Sequence, residues 1–342
     1  MGELPSFQDV IGKINKPKIL LGNGFSIAYD SKRFSFTSLL DSAVENKIIE
    51  KDSKVYKVFE SLQTSDFESV MRALEETKKI IQVYEGDKEL QELLKNDLEN
   101  LKKYLVRIIT NNHPSKTTEI SSEQKISCAK FLDNFETIYT LNYDLLLYWS
   151  ILQTKEITNK FPDGFGEDDF SLDEDYVIYK NNSSFPSKVN YLHGGLHIFD
   201  AGNEIIKKTY SKTDICLMTQ IAENLDKGIY PIFVSEGDSK QKMTKILHNA
   251  YLNHCYRSLK KVNGNLVILG TNLKSNDDHI LDAIMGSTVS NIYIGVSKIE
   301  NVEHIRRRII EFNDNNPIKK HKHLGYFDYK TVNPWDYITN KK

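Results

Sequence analysis

The chain has 342 residues, of which 39% are hydrophobic and 27% are charged, and its formal net charge is −2. This length suits one large α/β domain or two small ones, and the near-neutral charge argues against general nucleic-acid binding. The three cysteines, Cys128, Cys216 and Cys255, are far apart and form no C-x-x-C pair. That count excludes a four-cysteine zinc ribbon and argues against a disulfide framework. No run approaches the roughly 20 apolar residues of a membrane span and no signal pattern is found, so we expect a cytoplasmic protein without a membrane partner.

The first predicted element is a short buried strand at residues 18–21. Helical periodicity then begins near residue 34 and continues to about residue 132, with no convincing strand between residues 23 and 134. An ordinary dinucleotide-binding fold needs its second strand within about 30 residues. The gap therefore predicts a helical insertion over about 34–132, directly after the first βα turn.

From residue 135 onward, short apolar runs alternate with amphipathic helices. Strands are predicted at 137–141, 189–192, 231–234, 266–269, 292–296 and, at one edge, 326–329; a hairpin joins 197–199 to 205–210, and one long helix covers 240–259. This alternation predicts an α/β fold with a doubly wound, mostly parallel sheet in a single domain over 1–340. The irregular segment 154–187 is either a solvated surface loop or a lid or oligomer contact.

Four polar motifs follow predicted strands, and the carboxyl ends of parallel strands meet in one crevice. The first motif consists of Gly22, Asn23, Gly24, Phe25 and Ser26. Its backbone N–H groups are suited to a pyrophosphate, with the Ser26 hydroxyl as a further donor. An Asn-Gly turn without a ligand explains the same residues.

The second motif contains Thr140, Asn142 and Asp144. The amide of Asn142 offers a donor and an acceptor, which suits a sugar hydroxyl or a water molecule. Helix capping is the simpler explanation for Asp144.

The third and fourth motifs contain a histidine and a glycine turn. His193 precedes two glycines at a strand end, where an imidazole can transfer a proton near neutral pH; the alternative is a structural histidine. Gly270, Thr271 and Asn272 end the most apolar strand and suit a ribose, although turn chemistry also explains them. Ser239 is fully explained as a cap of the helix that is expected to begin near residue 240.

Taken together and in this order, the motifs resemble those of the sirtuin NAD pocket. The matching elements are a Gly-x-Gly-x-Ser loop at 22–26, a Thr-x-Asn-x-Asp motif at 140–144, His-Gly at 193–194 and Gly-Thr-x-Leu at 270–273. The chain lacks the four-cysteine zinc module and the Asp-Phe-Arg element of the sirtuin deacetylases. It therefore resembles the zinc-free sirtuin-like proteins of bacterial anti-phage defence systems, some of which hydrolyse NAD.

The resemblance implies a catalytic site and a substrate. Asn142 and His193 are expected to carry catalysis on NAD, with no metal. The glycine-rich loop, Thr140 and the turn of Gly270, Thr271 and Asn272 are expected to bind NAD. In this hypothesis Asn142 holds the ribose or the attacking water and His193 is the base. Asp144 orients Asn142 or stabilises cationic charge.

Partners are expected from the same resemblance. The helical insertion has enough amphipathic surface for a homo-oligomer, and an associated HerA-type ATPase or other sensor would be a separate chain, because no P-loop motif occurs. Two alternatives stay open. One is a module that senses NAD or ADP-ribose without turnover, and the other is a nucleic-acid-directed protein that uses the basic runs at 306–308 and 319–323.

Overall fold

The structure is a computed structural model that describes residues 4–84, 86–166, 175–180, 187–210, 215–234 and 239–340. The strands in chain order are β1 (Lys18–Leu21), β2 (Thr137–Thr140), β3 (Phe165–Gly166), β4 (Tyr176–Tyr179), β5 (Val189–Tyr191), β6 (Gly194–Asp200), β7 (Ile205–Lys208), β8 (Pro231–Phe233), β9 (Asn263–Leu269), β10 (Thr288–Val296) and β11 (His323–Asp328). The helices are α1 (Phe7–Ile11), α2 (Gly24–Tyr29), α3 (Ser31–Phe34), α4 (Phe36–Glu45), α5 (Lys54–Ser61), α6 (Phe67–Val83), α7 (Lys88–Asn112), α8 (Ser122–Leu132), α9 (Leu146–Ile151), α10 (Lys155–Lys160), α11 (Leu217–Asp226), α12 (Ser239–His248), α13 (Ala250–Lys260), α14 (Asp278–Met285) and α15 (Glu303–Asp314). None of these helices combines the length and apolar character that crossing a bilayer requires.

The main sheet has six parallel strands in the order β11-β10-β9-β1-β2-β5. The chain runs outward from β1 through β2 to β5, then returns to the other side of β1 with β9 and continues to β11. This confirms the predicted α/β fold with a doubly wound parallel sheet. Because strand order reverses between β1 and β9, the crevice at their carboxyl ends is the place where such sheets bind ligands.

The apolar part of β1 lies in the interior of the main sheet, where side chains on both faces of the strand are buried. Ile19, Leu20 and Leu21 are fully buried. A strand with two covered faces gains burial from every side chain, so it need not alternate polar and apolar residues. The position of β1 in the interior of the sheet therefore determines where the loop that follows it begins.

A second sheet, which the sequence patterns did not predict, is antiparallel and has the order β3-β4-β7-β6-β8. Its β6–β7 hairpin was predicted and is confirmed. The placement of residues 231–234 in the parallel sheet was wrong, because β8 pairs antiparallel with β6. A run of three apolar residues contains no information about its partner strand, so only the tertiary structure could settle this.

The helical insertion after the first strand is present as predicted. Helices α4 to α7 enclose a hydrophobic cluster of their own, which includes Phe59, Phe67, Met71 and Leu101. Helix α6 packs along α7 in this cluster. The helices of the insertion therefore share a hydrophobic core of their own.

The single long helix expected over 240–259 was wrong, because α12 and α13 are separate helices. Asn249 lies between them in extended conformation, and its side chain accepts a hydrogen bond of 3.1 Å from the N–H of Leu252. An N-cap of this kind begins a new helix. Of the predicted loop insertion at 154–187, residues 167–174 and 181–186, including the acidic stretch at 167–169, lie outside the described residues, and α10, β3 and β4 occupy parts of the rest.

Candidate functional site

A cavity of about 670 Å³ lies at the carboxyl ends of β1, β2 and β9, where the strand order reverses. All four motifs contribute to its wall. The predicted residues that line it are Gly22, Asn23, Gly24, Asn142, Asp144, His193, Gly270, Thr271 and Asn272. Phe25, Ser26 and Thr140 are buried behind this wall, so any effect that they have on a ligand is indirect.

The opposite side of the cavity, which we call the roof, comes from the helical insertion. Apolar side chains of the roof include Leu39, Phe67, Leu105 and Ile109. The strand-end side is mostly polar, although Leu141, Leu269 and Leu273 also line it, whereas the roof is mostly apolar apart from Asp66. A ligand with both polar and flat apolar parts matches this division.

The glycines of the first motif allow two loops to approach each other. A Cβ atom on Gly24 would lie 2.5 Å from the Cα of Gly270, which has a φ of +80°. The N–H of Gly22 donates to the carbonyl of Leu269 and that of Gly24 to the carbonyl of Gly270, both at 2.9 Å. The N–H groups of Phe25 and Ser26 likewise donate to carbonyls within the motif. These N–H groups, predicted to hold a pyrophosphate, are thus engaged by the protein itself.

Ser26 connects the two polar residues of the second motif. Its Oγ donates to Oδ2 of Asp144 at 2.5 Å and accepts from Nδ2 of Asn142 at 2.9 Å. The backbone N–H of Asn142 donates to Oγ1 of Thr140 at 3.0 Å. Among the described residues the amide oxygen of Asn142 has no hydrogen-bond partner. The network therefore fixes the Asn142 amide from behind and leaves its oxygen available at the cavity.

Asp144 accepts hydrogen bonds from two different segments of the chain. Its Oδ1 accepts from the N–H of Leu146 at 2.9 Å, which caps α9, while Oδ2 is bound to Ser26. Burial raises the pKa of Asp144 above its ordinary value, although the hydrogen bond from Ser26 lowers it in part. The carboxylate is therefore a buried support for Asn142 rather than a solvated acid.

His193 lies where the chain passes from the main sheet to the second sheet. Gly194 has a φ of +88°, and a Cβ atom there would lie 2.0 Å from the carbonyl oxygen of Ile232. The carbonyl of His193 accepts from the N–H of Val234 at 2.9 Å. The His-Gly pair therefore reflects the close approach of β8, and this contact holds the backbone of His193 at the cavity.

The imidazole of His193 belongs to a group of side chains, which we call the His193 cluster, that also contains Ser239, Lys242, Asp277 and His279. Nε2 of His193 lies 3.0 Å from Nε2 of His279 and 3.9 Å from Oδ1 of Asp277. Burial lowers the pKa of His193 well below its ordinary value, and the nearby Lys242 ammonium lowers it further. Burial also lowers the pKa of His279 to about 3. Both rings are therefore neutral near pH 7.

Three members of the cluster have the spacing of a metal-binding group. Ligand atoms of His193, Asp277 and His279 lie within 4.8 Å of one another. However, Nζ of the buried Lys242 lies 3.2 Å from the same Asp277 oxygen that faces His193. The ammonium already provides a positive partner for this carboxylate, and a second cation at the same buried position would be repelled by it.

Comparison with known proteins identifies the family. The model of a domain of unknown function, DUF4917, matches residues 19–335. This chain belongs to the DUF4917 family. No curated protein matches it.

Solved structures with some likeness to the DUF4917 chain include sirtuins. A Sir2 complex with a p53 peptide and NAD+ has a TM-score of 0.32 at 11% identity, and a structure concerned with sirtuin substrate affinity has 0.29 at 11%. Sir2Tm bound to a propionylated peptide has a TM-score of 0.31 at 12% identity. Each alignment covers 89% of this chain and 96% of the other. TM-scores this low carry no weight for fold or activity.

Sequence reasoning missed Lys242, Asp277 and His279 of the His193 cluster. Asp277 and His279 follow the fourth motif by a few positions, and the latter lies in the first turn of α14. Lys242 is a fully buried lysine on α12. The available signal was the run of polar residues 274–279, which directly follows a strand-end motif. Because this run has the composition of an exposed loop, it did not indicate a buried cluster.

Proposed function

We propose that the DUF4917 chain is an NAD+ glycohydrolase that cleaves the bond between nicotinamide and ribose. The observation that supports this most is that Asn142 and His193 line one cavity at the sheet's switch point, each fixed from behind by a buried polar network. Such preorganised polar groups in a partly apolar cavity are typical of catalytic sites.

The proposal assigns each part of NAD+ to one region of the cavity. Its volume of about 670 Å³ is within the range of roughly 300–1,000 Å³ that small-molecule sites occupy. The apolar roof suits a base, and Thr271 and Asn272 suit ribose hydroxyls. Because the N–H groups of the glycine loop are engaged, the pyrophosphate is assigned to the exposed lysines Lys274 and Lys330 at the cavity.

The proposed reaction converts NAD+ and water into nicotinamide, ADP-ribose and a proton. The C–N bond breaks and its electron pair stays on the pyridine nitrogen, so nicotinamide leaves as a neutral molecule. Water forms the new bond to the ribose carbon and gives its proton to a base. The site must therefore orient the ribose, stabilise positive charge on the sugar and accept one proton.

Each catalytic residue receives one of these tasks. The free amide oxygen of Asn142 faces the sugar or the attacking water, and the Ser26–Asp144 pair holds it there. A neutral His193 accepts the proton from water or from a ribose hydroxyl, a role worth about 10²–10⁴-fold in rate. The negative charge of Asp144 stabilises the cationic sugar through space.

The test is to incubate the purified chain with NAD+ and separate the products by chromatography. Nicotinamide and ADP-ribose should appear in equal amounts, and His193→Ala and Asn142→Ala should each lower the rate by about 10²–10⁴-fold while circular dichroism shows a folded protein. The matched controls His323→Ala and Asn315→Ala change exposed residues on other surfaces and should keep the full rate. Tight NAD+ binding without products would contradict the enzyme and favour the sensing module.

The biological setting is proposed from the motif resemblance. The chain would act in the cytoplasm as a homo-oligomeric anti-phage effector that depletes NAD+ when a HerA-type ATPase or another sensor activates it. If the isolated chain is inactive, the assay is repeated after addition of a candidate HerA-type ATPase or other sensor protein. Expression in a bacterial host should lower cellular NAD+ after phage infection, and the His193→Ala variant should not.

A further inference from the structure

The contact between His193 and His279 is a feature that the proposed function does not explain. The two Nε2 atoms lie 3.0 Å apart, and the rings are stacked at 26° with centroids 5.2 Å apart. Two neutral imidazoles can make this contact only if one Nε2 carries a proton and the other does not. The tautomer of His279 therefore decides which ring nitrogen of His193 is protonated.

His279 is itself held at three points. Its backbone N–H donates to Oγ of Ser239 at 2.6 Å, and its carbonyl accepts from the hydroxyl of Tyr256 at 3.2 Å. Its Nδ1 lies 3.3 Å from the same Ser239 oxygen. The two backbone contacts fix the main chain of His279, and the contact between Nδ1 and Ser239 supports the ring orientation that brings Nε2 to His193.

We propose that His279 is a positioning residue that keeps the proton of His193 on Nε2, so that Nδ1 of His193 meets the substrate as a base. This inference rests on the proposed function. The oxygen of Ser239 has two lone pairs and accepts both the backbone N–H and the Nδ1–H of His279. Nε2 of His279 is then an acceptor, and it receives the Nε2–H of His193.

The remaining nitrogen of His193 is the one available to a ligand. Nδ1 of His193 has no hydrogen-bond partner among the described residues, and the ring lines the cavity. When Nδ1 takes a proton from water or a ribose hydroxyl, the ring becomes a cation that keeps its Nε2–H on His279. Oδ1 of Asp277, at 3.9 Å from Nε2, then lies beside a positive ring, whereas Lys242 opposes that charge. The Lys242 ammonium therefore favours release of the proton from Nδ1 of His193 after each turnover.

The experiment combines ring ¹⁵N NMR of the labelled full chain, without NAD+, with steady-state kinetics. Wild-type His193 should show a protonated Nε2 and an unprotonated Nδ1. His279→Leu removes the acceptor, so the His193 signals should move toward a mixture of tautomers and kcat should fall about 10²–10⁴-fold with little change in KM. His279→Gln keeps an acceptor oxygen and should retain the wild-type signals and most of kcat.

Several results separate this proposal from the proposed function. The wild-type protein could consume no NAD+ while His193 has the expected tautomer and loses it in His279→Leu. That result would support the positioning role of His279 and contradict the proposed NAD+ glycohydrolase activity. A His193 protonated on Nδ1 would overturn the positioning role, as would stoichiometric bound metal found by elemental analysis. If His279→Leu does not fold, the same measurements are made on Ser239→Ala, in which the His193 signals should move in the same way. Unchanged His193 signals and an unchanged kcat in either folded variant would overturn the proposal.

Discussion

Oγ of Ser26 lies 2.5 Å from Oδ2 of Asp144, although 118 positions separate the two residues in sequence. Ser26 belongs to α2 after β1, and Asp144 follows β2, the neighbouring parallel strand. The bond therefore joins the segments that follow two adjacent strands. Asn142 donates to the same hydroxyl oxygen, so the geometry of a candidate catalytic amide depends on this pair.

Ser26→Ala should reduce both stability and activity. The substitution leaves the buried carboxylate of Asp144 and the amide of Asn142 without their shared partner, which should lower the free energy of unfolding by about 1–3 kcal/mol. Because Asn142 then loses its fixed orientation, kcat for NAD+ hydrolysis should fall more than KM changes. Urea unfolding and initial-rate kinetics measure the two effects. The control Ser61→Ala, at an exposed position near the end of α5, should change neither, and an unchanged stability of Ser26→Ala would contradict the network.

Gly24→Ala should disrupt the site by pushing two loops apart. The new Cβ would lie 2.5 Å from the Cα of Gly270, where only backbone movement can relieve the clash. We expect a loss of about 1–3 kcal/mol in unfolding free energy, together with weaker NAD+ binding. Gly202→Ala is the matched control: its φ is +87° but nothing lies within 4 Å of the new Cβ. Gly202→Ala should lower the free energy of unfolding by about 1 kcal/mol and leave NAD+ binding, measured by calorimetry, unchanged.

Much of the fold was predictable because its signals are local. Strand β1 was predicted at its observed bounds, since an apolar run before a glycine turn leaves few alternatives. The long periodic pattern of α7 likewise requires a helix. The meeting of the four motifs also follows from a general rule about parallel sheets.

What could not be predicted depends on contacts between distant segments. The second sheet forms because β6 turns away from the main sheet at Gly194, next to β8. The engagement of the Gly22 and Gly24 N–H groups by β9 depends on a loop nearly 250 residues away, so the sequence alone suggested a free phosphate cradle. His279 was missed because a polar residue in a helical first turn gives no sign that it contacts His193.

His113 should make the protein sensitive to acid. It is buried, its Nε2 accepts from the N–H of Leu145 at 3.0 Å, and burial lowers its pKa to about 4. In the unfolded chain its pKa is about 6.5. Between these two values the unfolded state binds a proton that the folded state does not, so stability falls as the pH drops from about 6.5 to about 4. The full contribution of this residue is at most roughly 3 kcal/mol.

Urea unfolding at several pH values measures this contribution. His113→Gln cannot titrate and should show a shallower loss of stability between pH 6.5 and 4 than the wild type. His323→Gln, at an exposed position, should follow the wild-type curve. Identical slopes for His113→Gln and the wild type would show that His113 is not the residue responsible.

Lys242→Met should shift the acid side of the pH–rate profile toward higher pH. The Lys242 ammonium is buried and lowers the pKa of His193, so its removal raises that pKa. Asp277 would then lack this cation, and its carboxylate, 3.9 Å from Nε2, would favour a protonated His193 still further. Because only the neutral ring can accept a proton, the rate should begin to fall at a higher pH as acid is added.

Breaking a buried ion pair costs about 3–5 kcal/mol, so rates are normalised to the folded fraction measured by circular dichroism at each pH. The control Lys240→Met removes an exposed lysine of the same helix and should leave the profile in place. An acid limb that stays in place or moves to lower pH in Lys242→Met would mean that His193 is not the base.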